Sequence, residues 1–244
     1  MATALSVQAP VTSGIAPLRR SGWLLIVAFL AFVLALGYLI VAGADFDREN
    51  AELAKAAGTS INAVPAAEQA RLVVRYSTYW IVSTIFLFVP FGVFAAGFHA
   101  LYSALRTTTD EALSRAAWWL GLGMTVIFYA FGILSLGLLA GPDNLPPVVR
   151  NLDAIMIPST ALFSTLGLGA VICAGLAARR ARIAPRTGLA AAILSGLFAL
   201  LGVALFVGSG FTDNLPPFAP FITALILAIG LVRSKEAQES AQHR

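Results

Sequence analysis

Six long apolar runs, separated by short polar segments, constrain this chain more than any other feature of its sequence. They occupy residues 23–42, 77–105, 116–140, 158–178, 188–207 and 218–233. A helix needs about 20 mainly apolar residues to cross the hydrocarbon core of a bilayer. With 59% hydrophobic and 11% charged residues, the chain is also too apolar for a soluble globular domain. The runs predict an all-α integral membrane protein, a six-transmembrane-helix bundle of three helical hairpins.

The remaining segments fit around this single membrane domain, which takes in residues 1–244. Residues 1–20 mix small residues and prolines without periodicity and are predicted to be a mobile tail. Residues 234–244 form a second polar tail. The polar stretch 45–75 has a helix-forming composition and predicts a helical extracytoplasmic segment between the first two spans.

The basic residues predict the orientation of the bundle in the membrane. If both termini are cytoplasmic, the inner side carries Arg19, Arg20, Arg106, Arg115, Arg179, Arg180, Arg182, Arg186, Arg233, Lys235 and Arg244. The outer side then carries the other basic residues, Arg48, Lys55, Arg71, Arg75 and Arg150. This excess agrees with the positive-inside rule. We therefore expect a multi-pass protein of a bacterial-type inner (plasma) membrane, with the N and C termini in the cytoplasm.

A turn of sequence Asp-Asn-Leu-Pro-Pro occurs twice, at residues 143–147 and 213–217, after outward-running spans. It is either an internal repeat from duplication or a convergent solution. Asp and Asn bond their own backbone in tight turns, and proline suits the start of a helix. A functional alternative is that outer oxygens bind a hard cation or an amine. The residues concerned are Asp45, Asp143, Asn144, Asp213 and Asn214.

His99 is the one histidine within the predicted spans, and ionisable groups inside a membrane are candidates for function. It either packs against a neighbouring helix or binds a ligand or proton. Hydroxyl groups on other spans could join it around a lumen for a small, weakly charged or apolar solute. The candidate lumen residues are His99, Tyr129, Ser135, Thr160, Ser164 and Thr165.

Two further expectations concern the second span. No helix breaker stands between Pro65 and Pro90, so one helix is expected to run from Pro65 to about Leu105 and to stand clear of the membrane. Small residues spaced by four are expected to form its packing face, at Gly92, Ala96, Ala100 and Ala104.

Arg71 and Arg75 share one face of the extracytoplasmic segment because they are four residues apart. They are predicted either to pair with Asp45, Asp143 and Asp213 as a lid on the bundle, or to form a face that docks a partner.

The predicted span cores contain no Asp, Glu, Lys or Arg, and the chain has a single cysteine, Cys173. No catalytic, cofactor-binding or metal-binding motif is present. The clustered arginines determine topology and do not indicate a nucleic-acid partner. We expect a non-catalytic accessory, assembly or scaffold subunit with a membrane-protein partner or a second copy of itself. The alternative is a channel or carrier for a small, weakly charged or apolar solute.

Overall fold

The computed structural model describes residues 15–59, 64–106, 110–208 and 218–242. These residues form helices and no strands, so the predicted all-α class is confirmed. The α-helices are α1 (Ile15–Ala42), α2 (Ala44–Ala57), α3 (Ala66–Arg75), α4 (Ser77–Leu105), α5 (Glu111–Leu136), α6 (Leu152–Arg180), α7 (Pro185–Gly208) and α8 (Ala219–Gln242). Short 3-10 turns occupy most of residues 137–151, between α5 and α6.

Five helical segments of the described chain are long and apolar enough to cross a membrane. They are Pro17–Ala42, Ser77–Leu105, Glu111–Ala140, Ser159–Arg180 and Pro185–Leu205. The apolar part of α8, Ala219–Ser234, is shorter. These lengths and compositions are those of a helical membrane bundle, as the sequence predicts.

The long helices pack in a closed ring. Going around it, α1 contacts α4, α4 contacts α5, and α5 contacts α6; α6 contacts α7, α7 contacts α8, and α8 returns to α1. The sixth helix also contacts α8 across the ring. The first and last long helices are therefore neighbours, although the rest of the bundle separates them in sequence.

Phenylalanine side chains fill the centre of this ring. Phe32 of α1 stacks on Phe221 of α8 with the ring centroids 4.5 Å apart, and Phe91 of α4 stacks on Phe128 of α5 at 3.8 Å. Phe94, Phe98 and Phe163 pack edge-on or tilted against this group. Such pairs add about 0.5 to 1.5 kcal/mol each beyond the burial of their area. The described centre of the bundle is thus an aromatic core.

Helices α2 and α3 and the segment 137–151 lie together over one end of the ring, and we call them the cap. Their shared apolar core consists of Phe46, Ala66, Ala70, Leu72, Val73, Leu138, Leu145, Val149 and Leu152. The first Asp-Asn-Leu-Pro-Pro turn contributes Leu145 to this core, with 4% of the residue exposed. The turn therefore has a packing role in the cap.

The expectation of one helix from Pro65 to Leu105 is wrong. The helix breaks at Tyr76, whose φ of −104° and ψ of 33° lie outside the helical region. Ala70 and Val73 of α3, which precede this break, are fully buried. Burying this apolar face against the cap favours a turn at Tyr76, and so α3 contacts segment 137–144 and does not project away from the bundle.

The expected packing face of α4 is wrong at Ala96, although Gly92 lies against Tyr129 of α5 and Ala104 packs on the core. Ala96 is exposed, whereas Phe94 and Phe98 are fully buried in the aromatic core. Helix α1 instead approaches at Gly97, where Ser21 Oγ donates a buried hydrogen bond of 2.8 Å to the Gly97 carbonyl oxygen. A Cβ atom at Gly97 would lie 2.7 Å from Leu25 Cδ2, too close for a side chain.

Regular structure also extends into both predicted tails. Helix α1 begins at Ile15, and α8 ends at Gln242. The burial of Leu18 and the hydrogen bond of Ser21 explain the early start of α1, because both side chains pack inside the bundle.

Candidate functional site

A cavity of about 250 Å³ lies where the cap meets α4 and α5, and we call it the cap cavity. Helix α1 contributes Leu39, the start of α6 contributes Leu152, and the cap contributes Phe46, Asn50, Gln69, Val73 and Leu138. The walls from α4 and α5 are Tyr79, Trp80, Ser83, Thr84, Leu87, Phe88, Phe128, Phe131, Gly132 and Ser135. The lining is mainly aromatic and aliphatic with a few polar groups, which is the usual composition of a small-molecule site.

The polar groups of the cap cavity are graded along the helix axes. The side-chain amides of Asn50 and Gln69 belong to the cap, hydroxyl groups lie one to two turns further along α4 and α5, and Leu87, Phe88 and Phe128 line the deep end. Tyr79 and Phe88 are nine residues apart on α4, which is about 13 Å at 1.5 Å per residue. The cavity therefore has a polar end and an apolar end.

Three buried hydroxyl groups in its wall have already donated their hydrogens. Ser83 Oγ and Thr84 Oγ1 donate to the Trp80 carbonyl oxygen at 3.0 and 2.8 Å, and Ser135 Oγ donates to the Gly132 carbonyl oxygen at 2.7 Å. A hydroxyl group has one hydrogen and two lone pairs. These oxygens can therefore still accept a hydrogen bond, but they have no hydrogen left to donate.

Asn50 supplies a further acceptor at the cap end. Its Oδ1 atom is buried and has no hydrogen-bond partner among the described residues. An unsatisfied buried acceptor costs about 1 to 3 kcal/mol. A donor brought by a bound molecule would recover this free energy.

The contact between α4 and α5 fixes the wall of the cavity. Trp80 Nε1 donates to the Ser135 carbonyl oxygen at 3.2 Å, across the two helices. A Cβ atom at Gly132 would overlap the ring of Phe88, so glycine allows this ring to lie against α5. The hydroxyls of Thr84 and Ser135 are consequently held on facing helices.

A latch made by Glu49, Arg75 and Tyr76 connects α2 to the break between α3 and α4. The Glu49 carboxylate accepts from Arg75 Nη1 at 2.6 Å and from Tyr76 Oη at 2.8 Å. The hydrogen bond to Glu49 is the main cause that raises the pKa of Tyr76. Since Glu49 directly precedes Asn50, the latch also positions the polar end of the cavity.

The candidate lumen residues do not surround one space. His99 is exposed, with its ring 4.7 Å from that of Trp118, and Thr165 is exposed and bonds the Ala161 carbonyl oxygen. Tyr129 Oη donates to the Phe88 carbonyl oxygen at 2.7 Å. Thr160 is half-buried on α6, while Ser164 is buried there. Of the six, Ser135 is the one that lines the cap cavity.

The outer turn residues are likewise apart. Asp45 pairs with Arg48 at 2.9 Å, and Asp143 and Asn144 are exposed in the 3-10 turn Pro142–Asn144. Asp213 and Asn214 lie outside the described residues. Within the described ranges, no group of three His, Cys, Asp or Glu side chains could hold a metal ion. The described outer turns therefore give no support to the cation hypothesis.

Arg71 and Arg75 have partners other than the predicted aspartates. Arg71 pairs with Glu68 of its own helix at 3.1 Å, and Arg75 pairs with Glu49 of α2 at 2.6 Å. The aspartate lid is wrong in this respect, because Glu68 lies one turn from Arg71 on α3, and the break at Tyr76 places α3 beside α2 so that Glu49 is within reach of Arg75.

Asn50, Gln69, Ser83 and Thr84 were not singled out from the sequence. Serine and threonine in apolar runs usually bond their own helix, which these two also do, so only their position around a cavity distinguishes them.

Comparison of the chain with protein-family models, with curated proteins and with solved structures finds no match.

Proposed function

We propose that the chain is a six-span protein of a bacterial-type inner (plasma) membrane, with both termini in the cytoplasm and the cap outside. The distribution of basic residues supports this orientation. The apolar part of α8 is short, but it packs against α1, α6 and α7 as an integral part of the ring. A helix of this kind fits a sixth span that is followed by Arg233 and Lys235, because lysine and arginine residues commonly end a span at the interface.

Its function, on this proposal, is to bind a small and mainly apolar molecule under the cap, and not to catalyse a reaction. The observation that carries the proposal is the cap cavity of about 250 Å³. An apolar cavity of about 150 Å³ in a protein core accepts benzene. The cap cavity therefore has room for a larger molecule, and Ser83, Thr84 and Ser135 in its wall donate their hydroxyl hydrogens to backbone carbonyl oxygens.

The test is to fill the cavity. Leu87→Trp places an indole in it from α4, and Val73→Phe fills it from α3; Leu197→Trp on α7 is the matched control, because Leu197 is 58% exposed. Each protein is reconstituted in lipid nanodiscs and dialysed against 4-pentylphenol. We expect saturable binding to the wild type and to Leu197→Trp, and only bilayer partitioning with the two filled variants. Equal uptake by all four folded proteins would refute the proposal.

The second candidate is the accessory, assembly or scaffold role, in which the cap contacts a membrane-protein partner or a second copy of the chain. It is favoured by a surface groove of about 660 Å³ between α2 and α3, lined by Arg48, Glu49, Glu52, Glu68, Arg71 and Arg75 among others. Arg71→Glu should leave the melting temperature unchanged, because this side chain is 66% exposed. In this role the same variant should lose a partner that is cross-linked to the wild type in intact membranes.

A further inference from the structure

We propose that the ligand of the cap cavity is an uncharged amphiphile, with a small head that donates a hydrogen bond and an apolar body that enters the deep end. The inference rests on the proposed function, because it names the chemical class of the molecule that this cavity holds. Neutral alcohols, phenols and primary amides with a ring or a short chain belong to this class.

The donor requirement follows from the acceptors in the wall. Asn50 Oδ1 is buried without a partner among the described residues, and the hydroxyls of Ser83, Thr84 and Ser135 have donated their hydrogens elsewhere. A head group with an O–H or N–H satisfies Asn50 and gains a hydrogen bond. An ether or ester of the same shape has no hydrogen to donate to Asn50 Oδ1 and leaves this atom unsatisfied.

The ligand is inferred to be uncharged because the described wall of the cavity offers no charged partner. None of the described residues that line the cavity is an Asp, Glu, Lys or Arg. Glu49 lies next to Asn50 in sequence, but its carboxylate is held by Arg75 and Tyr76. A carboxylate or an ammonium group would lose its hydration in this cavity without gaining a partner of opposite charge. Fatty acids and alkylamines are therefore disfavoured.

The direction of binding follows from the grading along α4. The amides of Asn50 and Gln69 belong to the cap, and along α4 the lining runs for about 13 Å from Tyr79 to Phe88, beside Leu87 and Phe128. The head is therefore held under the cap, and the apolar body points into the bundle between α4 and α5.

Matched ligands test the inference in the nanodisc dialysis described above. We expect 4-pentylphenol to bind the wild type about three- to tenfold more tightly than 4-pentylanisole, which is the same molecule with the donor methylated. The anion 4-pentylbenzoate should show no uptake beyond that of Leu87→Trp. In Asn50→Leu, which removes the orphaned acceptor and keeps a side chain of similar size, the preference for the phenol should weaken while the anisole still binds.

The outcomes separate this inference from the proposed function. If neither neutral ligand binds the wild type more than the filled variants do, the cavity is not a binding site and both proposals fail. If phenol and anisole bind the wild type equally, or if Asn50→Leu keeps the preference, the cavity binds apolar molecules but the donor rule is wrong. Should Asn50→Leu fail to fold, Thr84→Val, which removes an acceptor and keeps the shape, should weaken the preference, and an unchanged preference would overturn the inference.

Discussion

Replacing Phe94 by alanine should destabilise the bundle more than adding bulk to the alanine-rich face of α4. Phe94 is fully buried, and its ring centroid lies 4.8 Å from that of Phe98 and 4.9 Å from that of Phe221. Losing a buried phenylalanine side chain costs about 3 to 5 kcal/mol in soluble cores. In a bilayer the loss is mainly van der Waals packing, because lipid tails are as apolar as the core. We therefore expect a cost near the lower limit, about 3 kcal/mol.

Two variants of the same helix serve as controls for Phe94→Ala. Ala96→Leu adds bulk at an exposed position and should change the free energy of unfolding by less than about 0.5 kcal/mol. Phe86→Ala removes the same ring from a position that is 47% exposed, where it packs on Tyr38, and should cost about 1 kcal/mol. The assay is reversible unfolding by SDS in mixed micelles, followed by circular dichroism. If Ala96→Leu lost as much stability as Phe94→Ala, the aromatic core would not be the packed face of α4.

Three further predictions address the orientation, the latch and the α6–α7 contact. In a Cys173→Ala background, Ala57→Cys should be labelled by an impermeant thiol reagent in intact cells and Arg186→Cys should not, and the reverse pattern would overturn the proposed orientation. Because Glu49 raises the pKa of Tyr76, this contact stabilises the cap below about pH 10 and is lost as the pH rises further. In Glu49→Gln the pKa of Tyr76 should therefore fall. It is measured as the midpoint of the phenolate absorbance that is lost when Tyr76→Phe is added to each protein, and an unchanged midpoint would show that Glu49 does not hold Tyr76. Gly175→Ala should cost about 1 to 3 kcal/mol, because its Cβ atom would overlap the Gly188 carbonyl oxygen, whereas Gly196→Ala, with open space around it, should be neutral in the same unfolding assay.

The helical class and the approximate extent of the long helices could be predicted because apolar runs of this length have few alternatives in a bilayer. The predicted run 77–105 coincides with α4 (Ser77–Leu105). The break at Tyr76 could not be predicted in the same way, since nothing in its local sequence disfavours a helix. It results from tertiary packing, which buries the apolar face of α3 in the cap.

The packing face of α4 shows a second limit of sequence-based prediction. Small residues at a spacing of four indicate a smooth face, but they do not say whether a helix or lipid covers it. Here phenylalanines interlock at the centre, and Gly97, outside the expected series, is the point where α1 comes close. The candidate site was missed for a related reason: a cavity is a property of several helices together, and no single segment carries its pattern.

The contact between α1 and α8 has a consequence for the synthesis of the protein. The side of α1 that faces α8 is complete early, but Phe221, on which Phe32 stacks, and the residues that pack against Gly22 belong to the last helix. About 180 residues separate the end of α1 from the start of α8, and ribosomes add about 5 to 20 residues per second. For roughly ten to thirty-five seconds this face must be covered by lipid or by an insertion factor. In a nascent chain that stalls before α8, the same face would stay exposed and would distinguish the incomplete protein from the finished one.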